Sequence, residues 1–205
     1  MAPRKSLLND GPLTSERILD AAEEVLRRFG PLKATVIDVA RSLRISHGSV
    51  YRHFPHKNAL LEAVLERWLS RLSGPLAVIA AEPGPASERL RRWFDILLMV
   101  LRRKAREDAD LFATYTALAA EDGLAFQGHN DRMRAHLARI LDDGVRQGAF
   151  QCADPHNTAS ALLDATIRFH HPAHAADWEQ PAIDKAFEAV WSLAMHGLET
   201  ARQRP

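Results

Sequence analysis

The residues best suited to chemistry stand in one short run, His47-Gly-Ser-Val-Tyr-Arg-His-Phe54. Their types suit recognition rather than bond-making. A recognition helix must bring its backbone close to the floor of a DNA groove, which favours small residues on its outer side, and Gly48 and Ser49 supply them. His47, Tyr51 and Arg52 flank that gap and can reach base edges or phosphates; arginine on guanine is the commonest specific contact. His53 and Lys57 fall one turn further on, where a flanking phosphate would lie. Lys57 also opens a helix, whose first amides would point at the same anion.

Such a row needs a scaffold, and the flanking sequence predicts one. Ile18, Ala21, Ala22, Val25, Leu26 and Phe29 form a single apolar stripe at helical spacing, ended by Gly30-Pro31. Thr35 then caps a short helix, with Asp38 three residues on as a capping-box variant. Its buried face is Val36, Val39, Ala40 and Leu43, and Arg44-Ile45 makes the turn. Ser46 caps the next helix, which should run to about Phe54 with Val50 and Phe54 inward, before Pro55 breaks it. Two short helices with such a turn are the layout of a helix-turn-helix. Thr35, at a helix N-terminus, is a second expected phosphate grip, and Arg44 a further one.

Residues 15–65 resemble the N-terminal DNA-binding domain of the TetR family of transcriptional regulators. The resemblance rests on Ile18-Leu-Asp-Ala-Ala22, Phe29-Gly30, Asp38-Val-Ala40, Ile45-Ser46, Gly48-Ser-Val-Tyr-Arg-His-Phe54 and Lys57-Asn-Ala-Leu-Leu61. It implies that His47, Gly48, Ser49, Tyr51 and Arg52 face the groove, with the cap Ser46 beside them, and that Thr35, His53 and Lys57 hold phosphates. One departure is Arg44, where the family usually has glycine. A side chain there makes φ > 0 harder to reach, so an adjusted turn is expected.

The rest of the chain reads as helices without strands or repeats. A fourth helix, Lys57 to Leu72, carries Leu60, Leu61, Val64, Leu65, Trp68 and Leu69. Gly74-Pro75 and Glu82-Pro-Gly-Pro85 punctuate the junction. Further helices are expected near 87–104, 108–121, 125–147 and 155–169, the last opened by Asp154-Pro155, with a final one from about Pro181. The expected fold is all-α, with about nine helices: a mobile basic arm at 1–14, a helix-turn-helix domain at 15–58 linked by the helix 57–72, and a helical bundle at 73–205. Arg4 and Lys5 in the arm either touch a minor groove or merely solubilise a tail.

For the bundle, the resemblance implies a small-molecule effector and a homodimer. The region holding Trp93, Phe94, Leu97, Phe112, Tyr115, Phe126 and Met133, with Asn130, Arg134 and Thr116 as polar groups, is the expected effector site; packing as ordinary core is the alternative for each aromatic. Leu162, Leu163 and Ile167 on one helix and Phe187, Val190, Trp191 and Met195 on the last are the expected dimer interface, a four-helix contact, unless both stripes are buried within one chain. A dimer would match a palindromic operator in double-stranded DNA, with half-sites about 34–36 Å apart.

Composition bounds the rest. The 205 residues carry a net charge of +1, but residues 1–72 hold 12 Lys+Arg against 8 Asp+Glu, and the remainder 15 against 18. The positive excess thus falls on the helix-turn-helix, where phosphates would be met. No run of 18 apolar residues occurs, so no membrane partner is expected, and a single cysteine, Cys152, fits a cytoplasmic home. No nucleophile elbow, phosphate-binding glycine loop, HExxH or paired carboxylate is present, so neither an enzyme nor a cofactor is expected. His170, His171 and His174 are close enough for a metal, but they suit a helix end better, where an imidazole complements the dipole. His129 and His136 are read as polar groups facing solvent or a pocket. The functional expectation is a ligand-responsive repressor; the alternative is a DNA-bound factor acting through a protein partner.

Overall fold

The computed structural model describes residues 12–120 and 123–199; most of the expected basic arm, with Arg4 and Lys5, lies outside them. The described residues form nine α-helices: α1 (Ser15–Lys33), α2 (Val36–Leu43), α3 (His47–Tyr51), α4 (Lys57–Ala81), α5 (Ala86–Glu107), α6 (Ala109–Ala119), α7 (Leu124–Arg146), α8 (Pro155–His170) and α9 (Ile183–Leu198), with a 3-10 segment, Pro172–Asp177, between the last two. No strand occurs among them beyond one isolated bridge, Phe150 to Glu199. The chain divides into two compact units, Met1–Val64 and Leu65–Pro205.

The first unit is built as its apolar spacing dictates. Ile18, Ala22, Val25 and Leu26 of α1, Val36, Val39 and Ala40 of α2, Val50 of α3 and Leu60 of α4 are all buried. Gly30 breaks α1 at φ 71°, ψ 168°, and Pro31 starts a last turn that ends at Lys33. Arg44 does not adjust the α2–α3 turn as expected. It takes the left-handed conformation itself, at φ 57° and ψ 40°. The Ile45 amide can then reach back to the Ala40 carbonyl at 3.0 Å and close the turn. The strain is of the order of 1 kcal/mol, small beside the burial of Val39, Ala40 and Val50.

The second unit departs from expectation at Gly74-Pro75, which does not end α4. A mid-helix proline loses one hydrogen bond and costs roughly 3 kcal/mol. On its far side Leu76, Ile79 and Ala80 are buried, and a buried Leu or Ile returns about 1.5–3 kcal/mol apiece. Packing therefore carries the helix through. α5, α7 and α8 form the centre of this unit, with Leu90, Trp93, Phe94, Leu97, Leu137, Ile140, Leu141 and Ala159 almost wholly enclosed.

Gly144 of α7 is what lets the chain turn back toward α9. A Cβ on it would stand 2.7 Å from Cε2 and 2.9 Å from Cγ of Phe150. The Phe150 ring is buried on that glycine, and the next amide, Gln151, donates to the Leu198 carbonyl at 2.8 Å. Alanine usually stabilises a helix over glycine by about 1 kcal/mol. Here Gly144→Ala should instead lose about 1–3 kcal/mol through overpacking, measured as a lower urea midpoint.

Candidate nucleic-acid interface and effector cavity

The outer side of α3 is open. Ser46, His47, Gly48, Tyr51, Arg52 and His53 are exposed, and Ser49 is half-buried. Val50, on the opposite side, is fully buried and roots the helix. The helix is five residues long, shorter than the run to Phe54 that the spacing suggests. Its exit winds on through amides of His53 and Phe54 that both reach the Val50 carbonyl, at 3.0 and 2.9 Å.

Local bonds pre-set the row. Ser46 caps the helix by accepting from the Ser49 amide at 3.2 Å, and the two hydroxyls are 2.9 Å apart. The Arg52 guanidinium donates to the Ser49 hydroxyl at 3.2 Å. His47 and Tyr51 meet edge to face at 6.2 Å. Arg52 and Tyr51 are thus oriented by neighbours on their own helix.

Gly48 has no internal reason to be glycine. Its φ is not positive, and a Cβ there would meet only the Ser46 hydroxyl, at an ordinary 3.8 Å. Glycine here lowers helix stability with no packing or backbone requirement to offset it.

Three residues expected on phosphates have partners in their own unit. The Lys57 ammonium donates to the Pro31 carbonyl at 3.0 Å, tying the start of α4 to the end of α1. His53 Nδ1 lies 3.1 Å from the Ser15 hydroxyl. Thr35 is locked in a capping box: its hydroxyl donates to the Asp38 carboxylate at 2.6 Å while accepting from the Asp38 amide at 3.1 Å. That hydroxyl, then the Thr35 amide and Arg41, hold Asp38 below the usual carboxylate range. The helix end expected to receive a phosphate already carries an anion. Arg44 remains exposed, and Arg41, which sequence reasoning passed over, is exposed beside it although paired with Asp38 at 3.1 Å.

The second unit contains a cavity of about 100 Å³. Trp68, Leu69 and Leu72 of α4, Leu97 and Leu101 of α5, Phe126 and Met133 of α7, and Leu163 and Ile167 of α8 make its apolar wall. His129, Asn130, Arg134, Asp164, His170 and His171 are the polar members. Five residues expected at an effector site therefore converge here: Leu97, Phe126, Asn130, Met133 and Arg134. The other five stand elsewhere, among them Thr116, whose hydroxyl donates to the Phe112 carbonyl of its own helix at 3.0 Å. Tyr115 stacks on Trp68 at 4.3 Å and Phe112 meets it edge-on at 6.3 Å, so both back the wall. Trp93 and Phe94 pack together at 5.0 Å, and Phe94 meets Trp191 at 5.6 Å, in a separate aromatic cluster with α9.

Burial is the main force on the imidazoles. It pushes His129 and His170 down to about 4, and Arg132 lowers His129 further while the Leu163 carbonyl opposes the shift at His170. Desolvation lowers His136 and His171 as well. His170 Nε2 lies 3.2 Å from the Leu163 carbonyl, so it carries a proton there; His171 Nδ1 accepts from the Ala173 amide at 3.2 Å. No group of three or more His, Cys, Asp or Glu side chains among the described residues is placed to hold a metal. Cys152 is half-buried.

The expected dimer residues differ in how much surface they leave for a second copy. Leu162, Phe187 and Met195 are buried within the chain itself, so a second copy could cover little more of them. Ile167 is 44% exposed, and Leu193, which the spacing did not single out, is 77% exposed. Val190 and Trp191 are half-buried, and Leu163 belongs to the cavity wall.

A helix-turn-helix unit with a bared α3 and a separate helical unit holding a cavity define a DNA-binding regulator. Residues 18–64 match the family described as bacterial regulatory proteins, tetR family, and residues 86–191 match the tetracyclin repressor-like, C-terminal domain. The chain belongs to the TetR family of transcriptional regulators. Among relatives, it is 27% identical to an uncharacterized HTH-type transcriptional regulator, YhgD of Bacillus subtilis, over 82% of this chain and 86% of that one. It is 26% identical to the nucleoid occlusion factor SlmA of Marinobacter nauticus, over 80% and 83%. Against two uncharacterized HTH-type regulators of Mycobacterium tuberculosis the match, 27% identical, spans 63% of this chain but only 62% of theirs. The fold is that of SmeT, the repressor of the Stenotrophomonas maltophilia multidrug efflux pump SmeDEF (TM-score 0.70, 18% identity, 94% of each chain). It is also that of FadR from Bacillus subtilis, solved in complex with stearoyl-CoA (TM-score 0.64, 17% identity, 90% of this chain and 99% of that one). No helix among the described residues is long and apolar enough to cross a membrane.

Proposed function

We propose that the protein is a repressor that binds a palindromic operator as a homodimer and releases it when a small, largely apolar effector fills the cavity. The observation that carries the DNA-reading part is Gly48, bare on the outer side of α3 with nothing in its own fold to require it. Arg52 and Tyr51, pre-set on either side, are the base-edge readers; Arg41 and Arg44 are the phosphate contacts. The exposed apolar positions Ile167 and Leu193 support self-association through α8 and α9. The coupling element is α4, one continuous helix that begins with Lys57 in the first unit and carries Trp68, Leu69 and Leu72 of the cavity wall in the second. An effector acts only through its different affinity for the two conformers.

The test begins with selection of binding sites from random duplexes, which should return an inverted repeat with half-sites about one helical turn apart. On that operator Arg52→Ala should cost about 1–3 kcal/mol and relax one base position. Gly48→Ala should weaken operator binding while raising the thermal stability of the unit by up to about 1 kcal/mol. A Gly48→Ala protein that binds the operator as tightly as the parent would remove the close-approach role. Operator binding that no small molecule alters would favour the alternative, a DNA-bound factor acting through a protein partner.

A further inference from the structure

We propose that the cavity of the second unit accepts an uncharged molecule of single-ring size bearing one hydroxyl or carbonyl group, with His129 as its hydrogen-bonding anchor. The inference rests on the effector reading above and names the chemistry of that site.

Size comes first. The cavity offers about 100 Å³, less than an apolar cavity of about 150 Å³ that binds benzene, so a single ring is already the most it can take, and only with some yielding of its walls. A fused-ring compound needs more room than these walls leave. Walls of Trp68, Leu97, Phe126 and Met133 suit a flat apolar body.

Polarity comes second. His129 is 94% buried, since its relative exposure is 6%, and it lines the cavity. Its Nδ1 has no hydrogen-bond partner among the described residues. A buried polar atom without a partner is costly; a ligand hydroxyl or carbonyl in the cavity would supply one once a small turn of the His129 ring brings Nδ1, now closed to solvent, to the cavity face. The neighbouring rings are already committed. His170 keeps its proton on Nε2 against the Leu163 carbonyl, and His171 uses Nδ1 to accept from Ala173. His129 is the ring still able to choose between donor and acceptor.

Charge comes third. The cavity lining holds one cation and one anion, Arg134 and Asp164. Arg134 is already bonded to Asp131 at 2.9 Å, and Asp164 is exposed. The enclosed part carries imidazoles that burial keeps neutral near pH 7. An ionic ligand would enter apolar space without a counter-charge, a poor exchange for its hydration.

The test uses the full chain with phenol, toluene, benzoate and benzylammonium as probes. Binding is read from the Met133 methyl resonance, and operator release is read separately by anisotropy of labelled DNA. Phenol should bind at least about tenfold more tightly than toluene, and more tightly than either ion, a difference in keeping with one buried hydrogen bond. His129→Leu should bring phenol down to the level of toluene, and His129→Asn should keep part of the preference. Failure of all four to move Met133, an ion binding more tightly than phenol, or a phenol preference that survives in His129→Leu would each overturn the proposal. Should the leucine variant fail to fold, the order of the four probes on the parent decides by the same criteria. Phenol that binds with the expected pattern yet leaves operator affinity unchanged would uphold the site's chemistry and remove its effector role.

Discussion

Replacing Arg89 with alanine is expected to destabilise the second unit by about 3–5 kcal/mol, the range for breaking a buried ion pair from one side. The Arg89 side chain is 4% exposed and meets the Asp143 carboxylate at 2.7 Å. It also donates to the carbonyls of Glu82 at 2.8 Å and Ala80 at 3.4 Å. One guanidinium on α5 thus holds α7 and the end of α4, the three helices that supply most of the cavity wall. Its removal leaves Asp143 with Arg146 as its remaining cation and leaves two carbonyls short of a donor. Arg89→Met separates charge from shape. It should cost less than the alanine change because it keeps the packing volume, yet it should still loosen the cavity. The measurements are urea unfolding midpoints for both variants and, for Arg89→Met, affinity for phenol, the probe of the proposed cavity ligand. An alanine variant within about 1 kcal/mol of the parent would show that this pair merely breaks even against its desolvation.

That pair also marks where sequence reasoning stops. The apolar stripes of α1, α2 and α4, the Thr35–Asp38 capping box and the Ser46 cap are local signals, each contained within a turn or two, and they were legible. Gly74-Pro75 reads as a break because propensity alone opposes a helix there, while the opposing force comes from the burial of Leu76 and Ile79 in the folded unit. The same limit applied to the site. Spacing shows that Trp93, Phe94, Phe112 and Tyr115 are buried but not against what, and so cannot separate a cavity wall from the layer behind it. Lys57 with Pro31, His53 with Ser15 and Arg89 with Asp143 are pairs 26, 38 and 54 residues apart. No periodicity encodes them. His129 reads only as a polar group facing solvent or a pocket, since its neighbours Gln127, Asn130, Asp131 and Arg132 are polar too, and His170 only as one of a cluster at a helix end. Leu193 could have been found as an apolar residue on the side of α9 away from Phe187.

The same buried imidazoles should make the second unit acid-sensitive within a defined window. An unfolded histidine titrates near 6.5, whereas His129 and His170 titrate near 4 in the folded chain because burial strips water from the imidazolium. Between those values the unfolded chain takes up protons that the folded chain refuses, so stability rises with pH. The full stability is present above about 6.5. It is lost progressively as the pH falls toward 4, and below that these two groups take nothing further. The gap corresponds to roughly 3 kcal/mol per histidine, and His136 and His171, lowered for the same reason, add in the same direction. Carboxylates act lower down. Glu179 and Glu188, held below their usual value first by hydrogen bonds from Arg106 and Arg91, lose those bonds only under stronger acid. Unfolding curves taken at pH 7, 6 and 5 therefore isolate the imidazoles. The midpoint should fall at each step, and His129→Asn should flatten part of the slope, because a neutral amide cannot take up the proton. A parent midpoint that stays constant from pH 7 to 5 would mean that water reaches these rings and that the cavity is wetter than its walls imply. The phenol-over-ion preference expected of the cavity would then weaken with it, since both follow from the same exclusion of solvent around His129.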